Sequence, residues 1–243
     1  MAQLEVREVA VQFGGLRALS GASLEVEAGQ VTGLIGPNGA GKTTLFNVIC
    51  GIQSPDSGSV VLDGQDLGDT KPYRRGRLGI ARTFQRLEVF GSLSVHQNVL
   101  VAAEIHRRGR SESPQSVADA ALERVGLAHV RDERVDSLPT GLARLVELGR
   151  AIACQPKVLL LDEPSSGLSE DETDAFAALL GELTDDGLGI LLVEHDVALV
   201  MSVCARIFVL DFGQILASGT PDEVRAHPQV QAAYLGNMPV DAA

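Results

Sequence analysis

The stretch Gly36-Pro37-Asn38-Gly39-Ala40-Gly41-Lys42-Thr43-Thr44 has the residue types and spacing of a loop that wraps the phosphates of a nucleotide. Its glycines allow a tight turn and let backbone amides approach the anion closely. Lys42 is placed to reach the β- and γ-phosphates, and the Thr43 hydroxyl to ligate Mg²⁺. Two further groups could do chemistry with such a ligand. Asp162 and Glu163 follow the continuous apolar run Val158-Leu159-Leu160-Leu161. A carboxylate there is the expected second Mg²⁺ contact, and its neighbour a general base for attacking water. His195 follows another apolar run, residues 190–193. The set points to a nucleoside-triphosphate site with Mg²⁺.

Specific elements must position these groups. Val31-Thr32-Gly33-Leu34-Ile35 reads as a buried strand, and residues 42–50 as a helix whose first amides and dipole face the anion. Runs 158–161 and 190–193 read as parallel strands covered on both faces. In a doubly wound sheet the carboxyl ends of the strands line one crevice, so the loop, the acidic pair and His195 are expected to converge. His96, His106, His129 and His227 have no such placement and are read as structural or exposed.

Elsewhere, Leu4, Val6, Val9, Val11 and Phe13 alternate imperfectly in a half-exposed strand, and residues 23–27 form a second alternating run. Phe13, just before Gly14-Gly15, could stack on a purine face or pack in the core. Residues 58–62 read as a short strand, and residues 107–116 as a polar loop. Helices are expected over 116–125 and 142–153, a hairpin over 207–217, and a capped helix from Thr220-Pro221-Asp222-Glu223. Residues 79–100 look irregular. Within them Leu87, Val89, Phe90 and Leu93 are either core or the seat of a partner's helix.

Bulk properties set the class. A chain of 243 residues buries roughly 70–75% of its unfolded surface and needs no disulfide staples. The 45% apolar content excludes disorder, and a net charge of −12 argues against a nucleic-acid partner. Cys50, Cys154 and Cys204 are expected to be buried free thiols in a reducing cytosol. The sequence shows no basic-then-apolar leader and no apolar run of about 18 residues, so work at a membrane would need another chain to hold this one there.

These motifs, in this order and spacing, resemble the ATP-binding subunits of ABC transporters across essentially the whole chain. The resemblance implies an α/β P-loop NTPase core with a small antiparallel β subdomain and an inserted helical subdomain. The whole chain, 1–243, would be a single nucleotide-binding domain, with a core lobe over about 1–85 and 154–243 and a helical lobe over about 86–153. In the family, a glutamine placed like Gln85 in Arg82-Thr83-Phe84-Gln85 ligates Mg²⁺ and senses the membrane partner. A histidine placed like His195 contacts the γ-phosphate, and an aromatic placed like Phe13 stacks on adenine. Ser166-Gly167-Leu168-Ser169 falls at the D-loop, with Ser169 where an acid or asparagine is usual. The signature loop, usually Leu-Ser-Gly-Gly-Gln, stands here as Leu138-Pro139-Thr140-Gly141-Leu142. Pro139 supplies neither the serine hydroxyl nor a backbone N–H, which leaves Thr140 and Gly141 to meet the phosphate.

Phe13-Gly14-Gly15-Leu16, the run from Ile80 to Gln85, Glu194-His195-Asp196 and the closing Ala233-Tyr234-Leu235-Gly236 are similar to the branched-chain amino acid importer group. Lipopolysaccharide-export ATPases are an alternative, and soluble non-transport ABC ATPases a more distant one. The implied mechanism is hydrolysis of Mg²⁺–ATP between two such domains paired head to tail, driving permease subunits at the cytoplasmic face of the cell membrane. The second ATPase subunit is expected to be a different chain, and a substrate-binding protein to act through the permease.

Overall fold

Three short apolar stretches set the architecture. In the computed structural model, which describes residues 2–106 and 112–232, β3 (Val31–Ile35), β7 (Val158–Asp162) and β8 (Gly189–Val193) are buried along their whole length. They sit in a six-stranded sheet ordered β10 (Gln214–Gly219), β9 (Arg206–Asp211), β3, β8, β7, β6 (Ile80–Arg82). Only the β9–β10 hairpin is antiparallel; the other pairings are parallel.

Successive strand residues face opposite sides, and here they feed two separate cores. Leu159, Leu161, Ile190, Leu192, Ile207 and Val209 join one apolar cluster; Val158, Leu160, Leu191, Val193, Phe208 and Leu210 join the other. The first is completed by α3 (Val95–His106), α4 (Pro114–Arg124), α5 (Thr140–Ala153), α6 (Glu170–Asp185) and α7 (Val197–Val203). The second is completed by α1 (Lys42–Cys50) and an antiparallel sheet ordered β2 (Leu16–Glu27), β1 (Ala2–Phe13), β4 (Ser57–Leu62), β5 (Gln65–Asp66). Short helices α2 (Pro72–Leu78), α8 (Pro221–Ala226) and α9 (Pro228–Val230) and two 3-10 turns, Ala128–Val130 and Val135–Ser137, complete the described elements. The fold is the α/β P-loop architecture with the expected antiparallel β region.

The imperfect alternation of β1 has a geometric cause. Its pairing with β2 shifts register between Val6 and Val9, where Glu8 takes φ 48°, so a bulge turns the following side chains back toward the core. β2 begins at Leu16, well before residues 23–27, because Leu16 pairs with Phe13 across the Gly14-Gly15 turn.

Several expectations are corrected. Residues 95–100, read as the end of an irregular stretch, belong to α3, which runs on to His106. The Ser94 hydroxyl accepts from the Gln97 amide at 3.1 Å and the Ser94 amide donates to Gln97 Oε1 at 2.9 Å, a capping box that starts the helix. Pro114, read as a loop residue, is the first residue of α4 and follows a Ser113 N-cap. α5 starts at Thr140, two residues earlier than expected. Ser169 opens α6 with a capping box to Glu172. None of the three cysteines is in a disulfide, but of them only Cys204 is buried, and burial pushes its thiol up to about 12. Among the described residues no helix is long and apolar enough to cross a membrane. Residues 107–111 and Ala233-Tyr234-Leu235-Gly236 lie outside the described residues.

Candidate active site

β3 delivers the chain into the phosphate loop, and two of its glycines are required by space. A Cβ on Gly36 (φ 153°) would lie 2.0 Å from the Leu210 carbonyl oxygen, and one on Gly41 (φ 112°) 2.6 Å from that of Ala18. No side chain fits either place. Lys42 turns back over the loop, its ammonium donating to the Gly36 carbonyl at 2.5 Å and the Pro37 carbonyl at 3.1 Å. Burial lowers its pKa, and the charges of Glu163 and Asp162 oppose that shift. A cationic amine folded back on a glycine-rich loop at the head of α1 is suited to polyphosphate.

The loop opens onto a cleft of about 340 Å³ lined by Asn38, Gly39, Ala40, Gly41, Lys42, Thr43 and Thr44 on one side and by Gln85, Asp162 and Glu163 on the other. Phe13 stands at its rim, 49% exposed, so its ring is not core. That placement leaves the aromatic face free for a planar ligand.

Glu163 and His195 meet because β7 and β8 are parallel neighbours ending side by side. Glu163 takes φ 50°, a left-handed conformation costly for a residue with a side chain, and its amide donates to the Val193 carbonyl at 2.8 Å. Its Oε1 accepts from His195 Nε2 at 2.8 Å and from Gln85 Nε2 at 3.1 Å. The bond to a carboxylate requires the hydrogen on His195 Nε2.

Asp162 is buried, and its Oδ2 is 3.0 Å from an Arg82 guanidinium nitrogen. Arg82 also donates to Asn47 Oδ1 at 2.7 Å and lies over the rings of Phe46 and Phe84. Arg82 therefore binds the end of β7 to α1, a role with no local signal in the sequence. The hydroxyl of Thr43, the amide of Gln85 and the carboxylate of Asp162 all line the cleft. This is a set of hard oxygen donors, suited to Mg²⁺ completing its shell with phosphate and water. In the structure Gln85 faces Glu163, and one Asp162 oxygen is engaged by Arg82.

The segment after β6 is gripped by α5. Glu147 Oε1 accepts from the Phe84 amide at 3.0 Å, and Arg144 donates to the Gln85 carbonyl at 3.0 Å. Burial raises the Glu147 pKa, a shift opposed by the Phe84 amide and by Arg144 and Arg150. Thr140 and Gly141 do not line the cleft. They sit at the head of α5, where Gly141 abuts Leu168 and Gly167, and Pro139 occupies the N-cap without a side-chain cap bond. Of Leu87, Val89, Phe90 and Leu93, Phe90 lines a groove shared with Phe84, Val101 and Ile105, and Val89 packs on the core.

Known proteins are similar to this chain in sequence and fold. The family model for ABC transporters matches residues 19–166, and the model for branched-chain amino acid ATP-binding cassette transporters matches residues 214–238. The chain is similar to the high-affinity branched-chain amino acid transport ATP-binding protein BraF of Pseudomonas aeruginosa, 38% identical over 249 residues that cover 96% of this chain and 97% of that one. It is also similar to the lipopolysaccharide export system ATP-binding protein LptB of Haemophilus influenzae, 34% identical over 238 residues that cover 98% and 99%. A solved nucleotide-free ATP-binding cassette from an ABC transporter superposes with a TM-score of 0.87 at 30% identity, covering 96% of this chain and 99% of the other.

Proposed function

The chain belongs to the ABC transporter family as an ATP-binding, ATP-hydrolysing subunit, and from that premise we propose that it powers permease subunits importing branched-chain or related amino acids. The observation that carries the chemistry is Glu163 Oε1, held jointly by His195 at 2.8 Å and Gln85 at 3.1 Å beside Lys42. In this reading Phe13 stacks on the purine. Gly36, Pro37, Asn38, Gly39, Ala40, Gly41, Lys42, Thr43 and Thr44 hold the phosphates, and Glu163 takes the proton of the attacking water. His195 stands beside the γ-phosphate and keeps Glu163 aimed. Thr43, Gln85 and Asp162 would hold Mg²⁺, which when bound offsets the charge that builds on the phosphates.

Thr140 and Gly141 lie away from this chain's own cleft, so we assign them to the nucleotide of a second ATPase chain paired head to tail. Residues of about 86–153 then act as a helical lobe, which reaches the Gln85 segment through Arg144 and Glu147. The assembly would work at the cytoplasmic face of the membrane, held there by the permease and supplied by a substrate-binding protein.

The match of residues 214–238 to the branched-chain amino acid transporter model favours the importer over the lipopolysaccharide-export reading. Reconstituting the chain in vesicles with its co-purifying membrane proteins tests the choice. ATP-driven uptake of labelled leucine or valine is expected. Lipopolysaccharide-dependent ATPase activity without amino acid uptake would assign the chain to export.

A further inference from the structure

Glu194 is a carboxylate that the proposed chemistry does not use, yet it is only 4% exposed. Among the described residues no cation pairs with it. Its oxygens are instead spent on two backbone amides. Oε1 accepts from Ser165 at 2.7 Å and Oε2 from His195 at 3.1 Å. A buried carboxyl group must have its oxygens hydrogen-bonded, and here both serve the same small region of backbone.

Ser165 lies two residues beyond Glu163, and His195 is the residue whose ring holds the Glu163 carboxylate. Glu194 therefore binds the backbone behind both partners of the Glu163–His195 hydrogen bond and closes a ring: Glu163, Pro164, Ser165, the Glu194 carboxylate, His195, and back to Glu163. The ring is needed because the His195 side chain is 46% exposed and has little packing to hold it. Its aim must come from its backbone. On the far side, Asp196 caps α7 by accepting from the Leu199 amide at 3.1 Å, which fixes the exit of the same segment.

We propose that Glu194 is a positioning residue that sets His195 against Glu163 by holding the Ser165 and His195 amides on one buried carboxylate. The proposal rests on the reading of Glu163 and His195 as the hydrolytic pair. Only a group that accepts on both oxygens serves both amides. Glutamine keeps the length but turns an NH₂ toward one of two N–H donors, whereas alanine frees both segments.

The test is a double-mutant cycle in the full-length chain, measured with its membrane partners. ATPase kcat and KM, fluorescent nucleotide affinity and thermal unfolding would be followed for Glu194→Gln, Glu194→Ala, His195→Ala and Glu194→Gln/His195→Ala. Glu194→Gln is expected to lower kcat about 10–100-fold, the scale of a small misplacement of a catalytic group. KM and nucleotide affinity should stay within about twofold. Alanine should lose more than glutamine, and the double variant should be no slower than His195→Ala alone. If alanine fails to fold, the glutamine variant and the cycle still decide. A Glu194→Gln kcat within about twofold of wild type, or losses that multiply in the double variant, would overturn the proposal. The His195→Ala single variant separately judges the underlying reading, which fails if that variant hydrolyses ATP normally.

Discussion

Arg82 and Asp162 form an ion pair at 3.0 Å with both side chains almost wholly out of water. One guanidinium thus fastens the end of β7 to α1 through Asn47 while its own residue leads into the segment carrying Gln85. Breaking a buried pair by removing one member strands a charge in low dielectric. Arg82→Ala is therefore expected to cost about 3–5 kcal/mol of stability, read as a fall in the urea midpoint at unchanged slope. A loss below about 1 kcal/mol, the range of an exposed pair, would show that Asp162 is solvated without Arg82.

Glu147 should make stability depend on pH in a defined direction. Burial raises its pKa above the usual 4.5, so the folded chain keeps its proton to higher pH than the unfolded chain does. Its contribution then falls as pH rises from about the unfolded value through the folded one, since the folded state binds more protons across that window. Glu147→Gln keeps an acceptor for the Phe84 amide and removes the titration. Urea midpoints from pH 4 upward should show the variant gaining on the wild type as pH rises, and parallel curves would contradict the assignment.

The groove at Phe90 should serve assembly rather than chemistry. Phe90 and Ile105 are exposed apolar side chains on one groove, and no phosphate-loop residue lines it. Phe90→Ala and Ile105→Asp are expected to reduce co-purification with the permease while leaving nucleotide affinity of the isolated chain within about twofold. Normal assembly by both variants would move the docking surface elsewhere.

Pro139 should make the two sites of a heterodimer unequal. This chain keeps Glu163 and His195 beside its own loop but offers a signature without the serine. Losing one hydrogen bond to a charged phosphate costs roughly 1.5–3 kcal/mol, or about 10–150-fold in rate. In single-turnover hydrolysis by the assembled complex, Lys42→Ala in this chain should therefore cost more than the equivalent change in its partner. Equal losses, or full activity from this chain as a homodimer, would contradict it.

What was legible in the sequence follows from the range of the interactions involved. Runs such as 158–161 declare a buried parallel strand because every residue must be apolar, and the phosphate loop declares itself because Gly36, Gly39 and Gly41 all take positive φ within one short segment. Helix α3 was missed because its signal, the reciprocal Ser94–Gln97 cap, is short and sits inside an apolar stretch that masks helical spacing. Arg82, Glu147 and Glu194 were not legible at all. Each has a partner far along the chain, 80, 63 and 29 residues away respectively, so only the closed fold reveals the task of each side chain. For the four apolar residues near Phe90, composition could not say which faced outward; α3 and α5 decide that.

The central claim is that Glu163 activates water while Lys42 holds the nucleotide, and a paired measurement on two variants tests it most directly. ATP affinity and single-turnover hydrolysis would be compared for Glu163→Gln and Lys42→Ala in the assembled transporter. Glu163→Gln is expected to bind ATP normally and lose at least about 10²-fold in rate, the scale of a lost general base, whereas Lys42→Ala should lose binding itself. Near-normal hydrolysis by Glu163→Gln, or a binding loss equal to that of Lys42→Ala, would contradict the account.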